Sequence, residues 1–373
     1  LGGQLLQAGE DMIGQVQQRH LGRSLRQLLA AGDDLHPIHG RGGLQQTGQR
    51  FLAFKDHMIR LAGEQRQIAA ELDRVPLALF GMSSALPFLP GLNSRAVADI
   101  ALGEKVITTV SDGHLMLPLD FSFPDVPHDE LVALLEAAGH STAMLEPDCN
   151  VTVLKDGDRV VLFDVGSGPN FMPSAGKILE NIDAAGIAPE DVTDVVFTHA
   201  HPDHIWGLLD DFDEFVFPEA NYFINQVEWD YWRADDTLDK MPEARKTFVV
   251  GAQNRLEALE DVIQFFNWGD EVLPGIEAVD TRGHTPGHTS FAIHDGSDSV
   301  MVIGDAATSA IVSFAHPEWP SGSDQDTEQG IATRTKLLDR LAQEQGRFVG
   351  FHLPEGGIGR VEKDGAGYRF VAE

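Results

Sequence analysis

Residues 195–208 read VVFTHAHPDHIWGL. An apolar, β-branched run flows straight into six positions, His199 to His204, that hold three histidines and one aspartate. A chain that ends a strand in this way must build its fold around that strand end. Side chains alternate along an extended segment, so His199 and His201 point to the same side. Pro202 can open a helix, and the turn it starts carries Asp203 and His204 round to a second point. Two pairs of donors aimed at two points suit two metal ions better than one. The only cysteine is Cys149, so neither an intramolecular disulfide nor a thiolate cluster is available. A metal site here is made of imidazole and carboxylate, a donor set that suits zinc and its neighbours. Cys149 itself reads as a small buried hydrophobe.

Four groups are too few for two metals, and further donors recur at other strand ends. TRGHTPGHTS brings His284 and His288 just after the strand IEAVD. VMVIGDAA brings Asp305 directly after another, and RFVGFHLPEGG brings His352 after a third. Strand ends are where a rigid scaffold can present ligands into a cleft. A chance cluster would not be expected to repeat that placement.

The remaining pattern supports such a scaffold. VITTV (106–110), NYFIN (221–225), TSFAIH (289–294), SVMVIG (299–304) and YRFVA (368–372) read as strands. CNVTVLKDGDRVVLFDVG (149–166) is two β-rich runs joined at Asp156-Gly157, a hairpin signature. HDELVALLEAAG (128–139), PSAGKILENIDAAG (173–186), and the segments 242–261 and 326–343 read as helices. Hairpins mixed with helices imply an α+β layered fold with antiparallel sheets covered by helices.

Charge divides the chain. Residues 1–74 hold 9 Lys or Arg against 8 Asp or Glu. The rest carries 18 against 50, and the whole has a net charge of −31. Such a field repels phosphate backbones, which excludes nucleic acid as a partner. Residues 1–74 are glutamine-rich, without a clean strand pattern and with short helical pieces around 21–31. They read as a weakly ordered or accessory segment, or as sequence ahead of the true start. VPLALFGMSSALPFLPGL (75–92) is apolar but broken by Pro76, Pro87 and Pro90, so a stable membrane span is not expected. With Arg74 before it and Ala96-Val97-Ala98 after it, the stretch 75–98 resembles a signal-peptide core. That reading implies a periplasmic or secreted protein if the true start is internal, and a cytoplasmic one otherwise.

HAHPDH, GHTPGH, a later GD and a late histidine together resemble the metallo-β-lactamase superfamily. Further stretches resemble its methyl parathion hydrolase-like branch: SDGHLMLPLD (111–120), DVGSG (164–168), FPEA (217–220), LPGIEA (273–278), HLPEGGIG (352–359) and GYRFV (367–371). The resemblance covers residues 103–373 and implies a four-layer αββα sandwich with a dinuclear metal site. It implies that His199, His201 and His284 bind one ion, that Asp203, His204 and His352 bind a second, and that Asp305 bridges them. It makes His288 a structural neighbour and Asp164 an outer partner that orients ligands. Trp206 stands where the branch has a small residue; it either narrows the pocket or packs against the sheet. Phe171, Trp232 and Phe248 fall near positions that line an aromatic pocket.

The implied activity is hydrolysis of an ester, lactone or phosphotriester. A hydroxide shared by two divalent ions, zinc before others, attacks while Asp203 and Asp305 set the geometry. The expected partner is a small-molecule substrate, and a homodimer is compatible with this reading. The alternatives are a glyoxalase II-like or lactamase-like hydrolase, an iron-dependent redox enzyme on the same fold, and a non-enzymatic metal-binding protein.

Overall fold

The computed structural model describes residues 97–373. The expectations for 1–74 and for 75–96 lie outside the described residues. Val97 and Ala98, two residues of the small-x-small pattern, belong to the first strand, where they pair with Val110 and Thr109. That strand, β1 (Val97–Leu102), begins ahead of residue 103.

Two seven-stranded sheets dominate the fold. The first runs β1, β2 (Lys105–His114), β5 (Asp148–Asp156), β6 (Arg159–Phe163), β7 (Asp194–Val196), β8 (Asn221–Asn225), β9 (Ile263–Phe266). The second runs in chain order through β10 (Glu271–Leu273), β11 (Ile276–Asp280), β12 (Thr289–Asp295), β13 (Asp298–Val302), β14 (Arg347–Val349), β15 (Ile358–Asp364) and β16 (Gly367–Ala372). A small hairpin pairs β3 (Leu117–Pro118) with β4 (Met144–Leu145). The principal helices are α1 (His128–Ala137), α2 (Ile178–Ala184), α3 (Pro202–Ile205), α4 (Gln226–Arg233), α5 (Lys246–Leu259) and α6 (Thr327–Glu344).

The sheets stack face to face, and the sequence shows why. In β6, Val161 and Phe163 enter the core between the sheets, while Leu162 enters the core beneath the helices. In β8, Phe223 faces the other sheet, while Tyr222 and Ile224 face α4 and α5. Strands buried on both faces read as continuous apolar runs, as VVLF and DVVF do. On the far side, Met301, Ile303 and Phe348 pack against Leu337, Leu338 and Leu341 of α6. The result is the expected helix–sheet–sheet–helix sandwich.

Strand direction departs from expectation. β6, β7, β8 and β9 are mutually parallel, and so are β13 and β14. Helical crossovers, not tight turns, join these strands: α2 precedes β7, α3 precedes β8, α4 and α5 precede β9, and α6 precedes β14. This direction is what makes a site. Parallel neighbours bring successive carboxyl ends to one edge, where open α/β sheets hold their ligands. No helix among the described residues is long and apolar enough to cross a membrane.

Candidate metal centre

The carboxyl ends of the parallel strands converge. Asp164 follows β6, His199 to His204 follow β7, Asp305 follows β13 and His352 follows β14. His284 arrives on the loop between β11 and β12. The seven donors predicted from sequence form two buried groups. His199, His201 and His284 make one; Asp203, His204, Asp305 and His352 make the other.

In the first group, His199 Nε2 lies 3.0 Å from His201 Nδ1, which lies 2.8 Å from His284 Nε2. Tetrahedral zinc with nitrogens at its usual bond length holds them about 3.3 Å apart, so a small relaxation seats an ion. In the second group, His352 Nε2 is 3.1 Å from Asp203 Oδ2 and 3.2 Å from Asp305 Oδ2. His204 Nε2 is 3.3 Å from Asp305 Oδ1. Asp305 Oδ2 also lies 3.3 Å from His284 Nε2. The Asp305 carboxylate therefore touches both groups.

Each of the five histidines commits its other ring nitrogen to an outer partner, which fixes the ring and aims the first nitrogen inward. His204 Nδ1 is 2.7 Å from Asp164 Oδ2. His199 Nδ1 is 3.0 Å from Thr198 Oγ1, whose hydroxyl donates to Asp164 Oδ2 at 2.7 Å. His352 Nδ1 donates to Asp148 O at 2.8 Å. His284 Nδ1 lies 3.4 Å from Asp324 Oδ1. His201 Nε2 lies 3.4 Å from the side-chain amide of Gln325. Asp164 pays for its place with a left-handed backbone, φ +68°, uncommon for a residue with a side chain.

His288 does not join either group. Its Nε2 accepts from Asp305 N at 3.0 Å, and its Nδ1 lies 3.1 Å from Thr281 O. It steadies the backbone that carries Asp305. Gly304 allows this approach, because a Cβ there would stand 2.8 Å from His288 Nε2. Burial and the neighbouring His284 push the His288 imidazole down to about 3, so the ring is neutral.

The residues fit a cation on two observations. Asp203 Oδ2, His204 Nε2 and Asp305 Oδ1 are buried and make no well-aligned hydrogen bond, only contacts of 3.1–3.5 Å within one group. Buried polar atoms rarely go unpaired without an ion or water to satisfy them. The second observation is electrostatic. Burial opposes charging His204 and His352, yet Asp305 and its neighbouring carboxylates raise both well above the usual imidazole range. The carboxylates thus favour positive charge at this point of the site. Burial and neighbouring imidazoles keep His199 and His201 well below that range, so both are neutral and ready to coordinate.

Sequence reading missed the groups that hold the two motif loops together. Glu228 on α4 is fully buried. Its Oε1 accepts from Ala200 N at 2.9 Å and Trp232 Nε1 at 2.6 Å. Its Oε2 accepts from Thr285 Oγ1 at 2.7 Å and Gly287 N at 2.9 Å. One carboxylate thus ties HAHPDH to GHTPGH. Asp324 was missed too; it pairs with buried Arg334 at 3.1 Å and backs His284. Neither lies in a local pattern that sets it apart from a solvated charge.

A cavity of about 770 Å³ opens onto the centre, within the range of small-molecule sites. His201, Asp203, His284, Asp305 and His352 form its floor. Phe171 and Phe248 line it, with rings 6.1 Å apart, alongside Leu115, Leu117 and Leu145. Trp206 and Trp232 depart from the pocket expectation. Trp232 is fully buried, bonded to Glu228, and backs His201 at 5.7 Å between ring centroids. Trp206 stacks edge-on behind Phe171 at 5.4 Å and packs against Gly251, where a Cβ would clash with the indole. Cys149 is buried in the core, and burial pushes its thiol up to about 12.

A sequence profile of the metallo-beta-lactamase superfamily matches residues 146–345. The chain belongs to that superfamily. Among solved structures it is similar to AidC, a dizinc quorum-quenching lactonase held with its product. The identity is 29%, the TM-score 0.71, and the match covers 74% of this chain and 97% of that one. It is similar to the hydrolase AbOPH at 25% identity and TM-score 0.69, again over 74% of this chain and 97% of that one. Metallo-beta-lactamase domain-containing protein 1 of Xenopus laevis is 29% identical, over 50% of this chain and 67% of its own length.

Proposed function

We propose that this protein is a dinuclear zinc hydrolase of esters and lactones, with phosphotriesters as further substrates. The reading deepens its membership of a metal-dependent hydrolase superfamily. The observation that carries it is Asp305, whose carboxylate contacts His284 on one side and His204 and His352 on the other. His199, His201 and His284 are proposed to hold one ion, and Asp203, His204 and His352 the other, with Asp305 shared. Two divalent ions held there would acidify a water toward neutral pH and polarise the carbonyl or phosphoryl oxygen.

The chain's own residues do the rest. Asp203 and Asp305 fix the centre at the cavity floor and offer oxygens that can take a hydrogen bond from the attacking water. Phe171 and Phe248, with the leucines beside them, exclude water from the apolar part of the substrate. That wall supports the resemblance to the methyl parathion hydrolase-like branch, and the similarity to AidC favours lactones first. The test is hydrolysis of a nitrophenyl ester, an acyl lactone and a phosphotriester by purified protein, before and after chelation. Chelator-sensitive turnover of at least one supports the reading. Oxygen consumption with iron, and no hydrolysis, would replace it with a redox enzyme.

A further inference from the structure

The cavity wall is apolar on one side and polar on another. Ser321 and Ser323 of the loop 321–325, which enters α6, give it part of its polar lining; Glu146, Asp148 and Glu355 give more. Ser321 and Ser323 line the cavity, with their hydroxyls 2.9 Å apart. Further along the same loop, Asp324 contacts His284 and Gln325 contacts His201. Arg245 meets this loop from the start of α5. Its Nη2 donates to Gly322 O, and its guanidinium lies 5.1 Å over the Phe121 ring.

Arg245 is unlike the other cation in the wall. Arg369 is paired with Glu362. Arg245 makes no ion pair among the described residues, and its Nε and Nη1 have no partner there. Asp324 is the carboxylate that acts on it, but Asp324 is already bonded to Arg334 and beside His284. The guanidinium is half-buried and lines the cavity, where a ligand group can reach it. The position is also at substrate range. Gly322 and Asp324 are two residues apart, so their Cα atoms are within about 7 Å, and Asp324 touches a donor of the centre.

The geometry points to a second binding subsite. Arg245, with the Ser321 and Ser323 hydroxyls, receives a carboxylate on the distal end of a substrate whose other end lies at the metal centre. The planar guanidinium fork matches two carboxylate oxygens. The substrate class is then an ester or lactone that carries a free carboxylate, in a cavity that Phe121 and Ile311 also line. This rests on the hydrolase reading for its substrate, but the subsite is separable from turnover.

The experiment is calorimetric binding to the zinc-loaded, full-length protein, without catalysis. Dicarboxylates of four to eight carbons are compared with monocarboxylates of equal length. Each can place one carboxylate at the metals, but only the diacid can also reach Arg245. The best diacid is expected to bind about tenfold or more tighter than its monoacid. Arg245→Met should collapse that ratio toward the twofold statistical advantage, and Arg245→Lys should keep part of it. Equal or weaker binding of every diacid by the wild type overturns the subsite, whether or not the variants fold. If the ratio stands but no ester or lactone is hydrolysed, the hydrolase reading fails and the subsite survives.

Discussion

Asp164 Oδ2 stands 2.7 Å from His204 Nδ1, with both side chains buried. The contact commits Nδ1, so Nε2 is the nitrogen that faces Asp203 and Asp305. Asp164 also holds Thr198 through its backbone N–H and its hydroxyl, both at 2.7 Å, and so fixes the start of the HAHPDH loop. Outer partners of this kind set ligand orientation and basicity. Asp164→Ala should weaken metal affinity by about 10–100-fold. Competition with a chromophoric chelator measures it, and unchanged affinity would remove Asp164 from that role.

Asp305→Asn keeps shape but loses the charge that both groups share. Turnover should fall by about a hundredfold or more, about 3 kcal/mol or more of lost stabilisation. Bound metal should drop from two ions toward one, while circular dichroism stays native. Full activity with two ions would take Asp305 out of the bridge.

Glu228 is a stability prediction. Removing its carboxylate strands four donors: Ala200 N, Gly287 N, Trp232 Nε1 and Thr285 Oγ1. Glu228→Ala should cost about 3 kcal/mol or more, read from denaturant unfolding of the metal-free protein. Glu228→Gln should cost less, because it keeps an acceptor. A loss within about 0.5 kcal/mol, as for a surface site, would contradict the tether.

Metal loading should release protons. Asp305 and its neighbouring carboxylates push His204 and His352 well above the usual imidazole range, against burial. Ligand imidazoles must be neutral, so binding displaces those protons. Affinity should therefore rise with pH through the neutral range and fall in acid. Calorimetric zinc titrations in buffers of different ionisation enthalpy should report up to about two protons released per chain. Release of none would mean that the two histidines are already neutral.

Much of the centre was legible because its donors sit in short motifs at strand ends. HAHPDH, GHTPGH, Asp305 and His352 each stand just past an apolar β run, where the chain order itself marks them. The layered fold was legible in the mix of hairpins and helices, and its four layers through the resemblance that the motifs carry. Strand direction was not, because a three-residue strand such as β7 carries no mark of its parallel neighbours. Glu228, Asp324 and Arg334 were hidden as well. Each is a single charge far in sequence from the groups it ties together, and nothing local separates a buried tether from a solvated side chain. The aromatics split for the same reason. Phe171 and Phe248 reach the cavity, while Trp206 and Trp232 pack behind it, a difference set by tertiary neighbours alone.

The most direct measurement is the number and identity of metal ions per chain in protein purified without added metal, by elemental mass spectrometry. About two ions per chain, mainly zinc, are expected. A single ion, or a site filled by iron, would contradict the dinuclear hydrolase.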